Sequence, residues 1–350
     1  MNKLQANLCL LSVTIIWSSE LIVLSCIPDS VEPVATTCIT KTIGSILLFC
    51  CFFGRIMNEI KTFKWDLFKK ALTVALLNCV YNTMVIVGFR SFDSITGNFV
   101  YTFTAVSMPV LLLVLGRKVS KTMWVTSGLI LIGIIIALTQ QEGKLSIIGL
   151  ITMMVACVIR GLFITKLADY AKENDPISIT ALMTLISGII SFALWVHVQP
   201  ATFASVPWNK EILASIFIDS YFIVALSYVL NTFAQRKTEP MDAAVIYALE
   251  IAFTIILCAF LPKDIVGEVK ITWLVIVAVG FVVAGNMAAL FIPGGSGNNK
   301  KSGDKASTEA DAGAHGMADV TAGGKTSAEA GAGAHGMADV TAGGKEAQNV

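Results

Sequence analysis

The chain has 350 residues, of which 55% are hydrophobic and only 14% charged, with a formal net charge of +1 and a mean hydropathy of +0.75. Soluble domains carry about 25% charged residues, so this deficit, gathered into long apolar runs, excludes a soluble globular protein and places the chain in a bilayer. A near-zero net charge with no clustered basic surface argues against a nucleic-acid partner.

A run of about 20 apolar residues crosses a hydrocarbon core of roughly 30 Å, and by that length the sequence predicts ten spans. Lys3 precedes a long apolar run with no small-residue cleavage site, which reads as an uncleaved first span, Leu8–Ile27. The acidic loop Pro28–Pro33 leads to Val34–Phe53, then an amphipathic connection, Ile56–Lys69. Lys70–Phe89 and Ser94–Leu115 follow across the tight turn Arg90–Asp93, with Pro109 inside the latter. Beyond the basic loop Arg117, Lys118 and Lys121 come Thr122–Leu138 and Leu145–Thr165, joined by Gln140–Lys144. The polar loop Asp169–Pro176 opens Ile177–Val198, and the loop Gln199–Lys210 leads to Ile212–Ala234, Asp242–Leu261 and Ile271–Ile292. All eight cysteines (Cys9, Cys26, Cys38, Cys50, Cys51, Cys79, Cys157 and Cys258) fall in apolar spans and read as small core residues. Cys26 and Cys38 fall near one surface, but nothing in their spacing demands a bridge.

With the N-terminus inside, the inner loops hold thirteen Lys and Arg, from Lys3 to Lys237, against five (Arg90, Lys144, Lys210, Lys263, Lys270) in the outer loops. The positive-inside rule then predicts both termini in the cytoplasm, in keeping with an even number of spans. Pro293 ends the last span because proline cannot continue the helical hydrogen-bond ladder. Residues 293–350 form a Gly/Ala-rich tail with too few large apolar side chains to offset chain entropy, so disorder is expected there. The tail carries a 20-residue duplication in which AGAHGMADVTAGGK at Ala312–Lys325 returns at Ala332–Lys345. One His per copy, His315 and His335, reads as solvated rather than metal-binding.

The membrane part contains an internal repeat. YNTMVIVGFRSFDSITGNFVYTFTAVSMPVLLLVLGRKVSKTMW in the first half answers YVLNTFAQRKTEPMDAAVIYALEIAFTIILCAF, then ITW, in the second. Each has an aromatic-led helix, a short Arg-bearing turn, small residues opening the next helix and a Trp opening the last. Gly128 and Gly133 in the fifth span answer Gly280 and Gly285 in the tenth. A five-span unit starts its second copy on the opposite side of the membrane, giving an inverted-topology repeat, a recurrent transporter architecture. The expected fold is all-α integral membrane: ten transmembrane helices in two inverted five-helix repeats, residues 1–140 and 141–292, plus the tail. Gly44, Gly128, Gly133, Gly188 and Gly280 are expected at close-packing positions.

SMPVLLLVLGRKVSKTMWVTSGLILIG, ALEIAFTIIL and the IIWSSE start resemble the EamA domain of the drug/metabolite transporter superfamily. The resemblance covers Met1 to about Phe291, and the ten-helix, two-repeat layout is its more specific part. It implies ten helices, both termini inside, and export or exchange of small metabolites through a central cavity. The sequence departs from that family at Glu250-Ile251, where Glu-Pro is frequent, and at Gly116-Arg117, where Gly-Glu is usual. Glu20 and Arg160 are also unusual charges for it.

Four charges fall near mid-membrane: Glu20, Lys41, Arg160 and Glu250. Each is expensive in lipid, so each should face the bundle and pair or hydrate. One reading joins Glu20, Arg160 and Glu250 in a polar cavity, Arg160 gripping a substrate carboxylate or phosphate through its planar fork. A buried glutamate would then titrate if transport is proton-coupled, because burial disfavours the charged form. The other reading is two fixed salt bridges. Lys41 is expected to be structural, its long stem snorkelling. Neutral candidates for the same cavity are Trp17, Asn78, Tyr81, Asn82, Asn98, Tyr101, Tyr228, Asn231 and Tyr247. Asn78, Tyr81 and Asn82 share a helix face at i, i+3, i+4, and Tyr228 with Asn231 repeats the i, i+3 spacing. Interhelical hydrogen bonding is the plainer use of the same groups. Asp219 and His197 are placed near outer helix ends, hydrated.

No phosphate-binding loop, metal-ligand spacing or nucleophile–base–acid set is present, so neither enzyme activity nor a cofactor is expected. The sequence therefore reads as a secondary transporter of the plasma membrane, moving a small organic metabolite such as an amino acid by alternating access, its partners the lipid bilayer and that substrate. A homodimer is compatible with it. A nucleotide-sugar or sugar-phosphate transporter, which would want more basic residues than Lys41 and Arg160, and a membrane adaptor acting through its tail are the alternatives. Deleting the tail separates the last of these, since a transporter keeps its flux without it.

Overall fold

The structure is a computed structural model, and it describes residues 1–20, 23, 33–62, 64–141, 145–198, 200–201, 208–261 and 271–291. The described residues form helices and the short connections between them, with no strand among them. The predicted tail and most of the predicted outer loops lie outside them.

The helices are α1 (Lys3–Ser18), α2 (Pro33–Cys51), α3 (Phe53–Lys61), α4 (Trp65–Phe89), α5 (Ser94–Tyr101), α6 (Phe103–Val114), α7 (Lys121–Leu138), α8 (Ile147–Glu173) and α9 (Pro176–Val198). They continue as α10 (Lys210–Ile218), a π-helical stretch Asp219–Leu226, α11 (Ser227–Gln235), α12 (Pro240–Ala248), α13 (Glu250–Phe260) and α14 (Trp273–Phe291). With the consecutive pieces joined, seven spans among the described residues are long and apolar enough to cross a membrane. The apolar stretches Ala35–Cys51 and Trp273–Ala289 are shorter. Large apolar side chains such as Val114, Ile148, Ile189, Phe260 and Ile276 point outward, as a surface solvated by hydrocarbon requires.

Most boundaries fall within a few residues of the sequence expectation. Two differ for a physical reason. The polar segment after Thr165, expected to be a loop from Asp169, remains helical to Glu173. Its charges find partners elsewhere in the bundle: Arg117 to Asp169 at 2.5 Å, Lys70 to Glu173 at 2.8 Å and Lys172 to Glu239 at 3.7 Å. The connection after Phe53 likewise carries its own amphipathic helix, α3. Arg117 itself is delivered by a helix end in which Gly116 adopts a φ of 74°, while Arg117 N–H bonds the Leu112 carbonyl and Gly116 N–H the Leu113 carbonyl. Such a left-handed C-cap suits glycine because it lacks a Cβ.

Three spans break in mid-course, at Ser19, Thr102 and Leu249. At each break the N–H bonds three residues back, to Ile16, Phe99 and Ile246 respectively. The tightened turn is a 3₁₀ departure of the kind that marks functional hinges. At two of them a hydroxyl competes for the same carbonyl: Ser19 Oγ to Ile16 at 2.7 Å and Thr102 Oγ1 to Phe99 at 2.6 Å. Pro109, the obvious breaker in the sequence, sits inside α6 with the helix continuous through it.

α7 packs on α14 and α2 on α9, each at close range. A Cβ on Gly133 would meet the Ala278 carbonyl oxygen at 2.8 Å, and one on Gly285 the Thr126 carbonyl oxygen at 3.1 Å. Gly188 lies against Ser45 Oγ, and Gly44 against Val224 and Ser220. Gly133, Gly188 and Gly44 are therefore the packing positions the sequence suggested. Gly128 and Gly280 are not, because nothing lies within 4 Å of where their Cβ would be. They are on the outward arc of the same helices, which periodicity alone could not separate from the inward one. Gly133→Val should accordingly destabilise by about 1–3 kcal/mol through overpacking, whereas Gly128→Val should stay within about 0.5 kcal/mol of wild type. Thermal unfolding of the purified protein in lipid nanodiscs measures both; equal losses would contradict the packing described.

Candidate functional site

The broken spans converge on a buried polar cavity of about 30 Å³. Its lining comes from Trp17 and Glu20 beside the α1 break, Lys41 on α2, Tyr81 and Asn82 on α4, Tyr101 at the α5 end, Arg160 on α8, Asp219 in the π-helical stretch, Tyr228 on α11, and Glu250 at the start of α13. Three carboxyl groups and two cationic groups thus share one small space. A lone charge in hydrocarbon costs several kcal/mol, so grouping them inside the bundle is what makes their presence tolerable.

Arg160 is the best-held member. It is 4% exposed and its Nη2 donates to Glu250 Oε2 at 3.5 Å. Its guanidinium carbon lies 3.9 Å from the Tyr101 ring centroid, 5.5 Å from that of Tyr247 and 5.6 Å from that of Trp17. Aromatic faces attract a desolvated cation by about 2 kcal/mol or more in the best cases. The rings therefore fix the guanidinium plane, while the long single contact to Glu250 occupies one of its five N–H donors. The Trp17 ring is itself fixed, its indole N–H donating to Ser227 Oγ at 2.8 Å. Thr254 Oγ1, one turn after Glu250, reaches the Ser18 carbonyl at 3.1 Å and ties α13 to the α1 break.

A second polar layer backs the cavity. Lys41 Nζ donates to Asn78 Oδ1 at 2.8 Å, and Asn78 Nδ2 donates to Tyr228 OH at 2.8 Å and to Tyr81 OH at 3.3 Å. The two tyrosine hydroxyls lie 3.4 Å apart. Further along α11, Gln235 Nε2 donates to Asn231 Oδ1 at 3.0 Å and to Tyr247 OH at 2.9 Å, and the Tyr247 hydroxyl donates to the same Asn231 oxygen.

The structure brings the sequence-predicted residues into one neighbourhood, in three roles. Trp17, Glu20, Tyr81, Asn82, Tyr101, Arg160, Tyr228 and Glu250 line the cavity. Asn78 and Tyr247 stand directly behind it as hydrogen-bond and ring partners, while Asn231 belongs to the layer beyond. Asn98 adjoins Arg160 and Tyr247 on another side. Two expectations are corrected. Lys41 does not snorkel: it is 5% exposed and turned into the cavity. Asp219 is not peripheral: it is 2% exposed and part of the lining. The signal was available, since Asp219 is nine residues into the span Lys210–Gln235. At 1.5 Å per residue that is about half of a 30 Å hydrocarbon core. Gln235 was missed because a single amide near a helix end carries no periodic signal. His197 is exposed, as expected.

Comparison with known proteins bears on what this arrangement belongs to. Residues 147–287 match the EamA-like transporter family. These residues are an EamA-like transporter domain. An uncharacterized transporter of Archaeoglobus fulgidus is 23% identical over 271 residues, covering 77% of this chain and 82% of its own. A solved crystal structure aligns with a TM-score of 0.64 at 13% identity, over 82% of this chain and 98% of that one, a likeness of fold alone. A transporter-family domain thus occupies residues 147–287 of a chain with several helices long and apolar enough to cross a membrane. Arg160, Asp219, Tyr228, Asn231, Tyr247 and Glu250 lie within the EamA-like domain, whereas Trp17, Glu20, Lys41, Asn78, Tyr81, Asn82 and Tyr101 lie before it. ALEIAFTIIL is inside the matched residues and the other two sequence motifs are outside.

Removing one partner of a buried ion pair leaves an uncompensated charge, at about 3–5 kcal/mol, while replacing both by apolar groups is often close to neutral. Glu250→Gln should therefore lower the unfolding temperature clearly, and the double variant Arg160→Met/Glu250→Leu should recover most of the loss. Nanodisc thermal unfolding decides this. A double variant no more stable than Glu250→Gln would show that the pair does not act as a unit.

Proposed function

We propose that this transporter carries a small organic metabolite with both a negative and a positive group, an amino acid or related compound, through the central cavity by alternating access. The observation that carries the reading is Arg160, caged by three aromatic rings and engaged by Glu250 through one long contact, in a lining that also holds the carboxyl groups of Glu20 and Asp219. The guanidinium fork suits a carboxylate, and the carboxyl side suits an ammonium. A nucleotide sugar or sugar phosphate would bring more negative charge into a lining that already holds three carboxyls against two cations.

Ten spans in two inverted units, residues 1–140 and 141–292, remain our topology, with both termini cytoplasmic and the plasma membrane as location. Reciprocal packing supports it. Thr126 and Ala278, and Gly133 and Gly285, are separated by the same 152 residues, and each glycine faces the other pair's carbonyl. Tyr81 and Tyr228, whose hydroxyls meet, and Thr102 and Leu249, where two spans break, are both separated by 147. A pseudo-two-fold axis between antiparallel copies produces such self-related contacts.

A space of about 30 Å³ accommodates only about two waters, so cargo requires the bundle to open. On the face we assign to the cytoplasm, four ion pairs join a cation of the first unit to an acid of the second. They are Lys3–Asp242 at 2.9 Å, Arg55–Asp175 at 2.7 Å, Lys70–Glu173 at 2.8 Å and Arg117–Asp169 at 2.5 Å. Each is partly exposed and worth about 1 kcal/mol or less alone, which suits a gate that closes firmly yet reopens. Arg117→Asp should shift the balance toward inward opening, and Arg117→Asp/Asp169→Arg should restore it, read as the accessibility of a cavity cysteine to a thiol reagent applied from the cytoplasmic side. Equal accessibility in all three chains would contradict the gate.

A metabolite screen in proteoliposomes tests the main reading. Wild type should move one class of zwitterionic metabolite, and Arg160→Ala and Glu250→Gln should each reduce that flux at least tenfold while the protein stays folded. Unchanged flux in both would remove the cavity from the transport path.

A further inference from the structure

We propose that the corner of the bundle formed by α3 and the start of α4 binds an anionic phospholipid, with Lys61, Lys64 and Lys69 gathered on its phosphate and Trp65 against the upper part of its acyl chains. The inference concerns the rim of the bundle and does not depend on what the central cavity carries.

The corner is placed by its contacts. α3 rests on α2 and α9, at the end of the bundle where Arg55 meets Asp175 at 2.7 Å and Lys70 meets Glu173 at 2.8 Å. Phe53, Ile56 and Met57 share one face of α3 at i, i+3, i+4. Ile56 roots that face in the bundle at 2% exposed, while Phe53 is left 54% exposed. An amphipathic helix of this kind lies at the boundary of headgroups and acyl chains, where one face is apolar and the other wet.

The charges of the corner are unevenly committed. Between Phe53 and Lys70 the sequence holds five cations, Arg55, Lys61, Lys64, Lys69 and Lys70, against two acids, Glu59 and Asp66. Arg55 is engaged by Asp175, and Lys70 by Glu173 and by Asp66 at 2.6 Å. Lys61, Lys64 and Lys69 are exposed and make no ion pair among the described residues. They lie close along the chain: three residues span at most about 11 Å, and the elbow between Lys61 and Lys64 is that short. Lys69 Nζ stands 5.5 Å from the centroid of the Trp65 ring, on the residue next to Lys64. The Trp65 ring is stacked on Phe68, with centroids 5.4 Å apart and planes at 16°, and Trp65 is 57% exposed.

This pairing of features selects the ligand. Three uncommitted ammonium groups suit a phosphate, and an exposed indole stacked on a second ring suits the headgroup level of a bilayer. A soluble phosphate would use the lysines and leave the rings in water, whereas a phospholipid engages both. A zwitterionic lipid carries its own cation beside the phosphate, which the three lysines repel. Basic residues beside a span gain about fivefold in binding to anionic lipid for each Lys.

Photocrosslinking of the full chain in vesicles tests the site. Phosphatidylcholine vesicles are doped with phosphatidylglycerol carrying a diazirine high on one acyl chain, irradiated, and the adducts mapped by peptide mass spectrometry. Adducts should concentrate on α3 and the first turns of α4, several-fold above those from phosphatidylcholine carrying the same diazirine. Lys61→Gln/Lys64→Gln/Lys69→Gln should lower the yield there by about tenfold or more, with adducts on the outward faces of α7 and α14 unchanged as proof of insertion. Trp65→Ala should lower it with all three lysines in place. Wild type itself supplies a test without any variant: molar salt, which screens exposed charges beyond about 3 Å, should bring the two probes to equal yield, and millimolar inorganic phosphate should not. Equal labelling by the two probes at low salt, a preference that survives molar salt, or undiminished labelling in the triple variant overturns the proposal. Displacement of the probe by inorganic phosphate also overturns it, in favour of a soluble anion.

Discussion

Charge in a low-dielectric interior must be balanced locally, and that constraint shapes this molecule. A guanidinium and a carboxylate at mid-membrane are unaffordable singly. Here Arg160 is enclosed by Trp17, Tyr101 and Tyr247 and met by Glu250. Placing those groups demands helices that turn their polar faces inward and break where side chains must converge. The breaks at Ser19, Thr102 and Leu249 each fall within two residues of a cavity-lining side chain: Glu20, Tyr101 and Glu250. Packing elsewhere answers a different demand. Without a hydrophobic force between helices in lipid, close approach through small residues holds the bundle, as Gly133, Gly188 and Gly285 do.

Two kinds of interaction therefore divide the work. Glycine and serine contacts between α2 and α9 and between α7 and α14 are tight and dispersive, and they resist rearrangement. The polar cavity and the ion pairs at one face are electrostatic and can exchange partners with water. A carrier in which rigid units rock about a charged centre needs both: a fixed seam about which to move and a reversible latch to hold each end. In the antiparallel arrangement we propose, one unit contributes the cations of the latch and the other its acids, so closure reads the relative position of the two units directly.

Much of this was legible in the sequence. Apolar runs gave the helices, because hydrophobic length is a strong signal and the backbone in lipid has few alternatives. Glu20, Arg160 and Glu250 were legible as a group because each is conspicuous in an apolar run and each must face inward. Tyr81 and Tyr228 were legible through their matched i, i+3 partners. Asp219 is placed by the length of its span, since nine residues from Lys210 at 1.5 Å each reach about half of a 30 Å core, and not by any local pattern around it. Lys41 was misread because a long stem is compatible with either snorkelling or burial, and only Asn78 on the neighbouring helix decides between them. The outward-facing Gly128 and Gly280 were indistinguishable from Gly133 and Gly285 by residue type alone. The helical continuation to Glu173 depended on partners distant in sequence, which no local pattern reveals.

The central claim is that a charged cavity within the bundle meets water from one face at a time. Its most direct measurement is the labelling rate of a single cysteine at Thr40, a lining position, in an otherwise cysteine-free chain, with membrane-impermeant thiol reagent applied separately to each face. The account predicts labelling from both faces, with the two rates changing in opposite directions when the ion pairs between the units are broken by charge reversal. A cysteine that reacts from neither face, or rates that rise together, would contradict it.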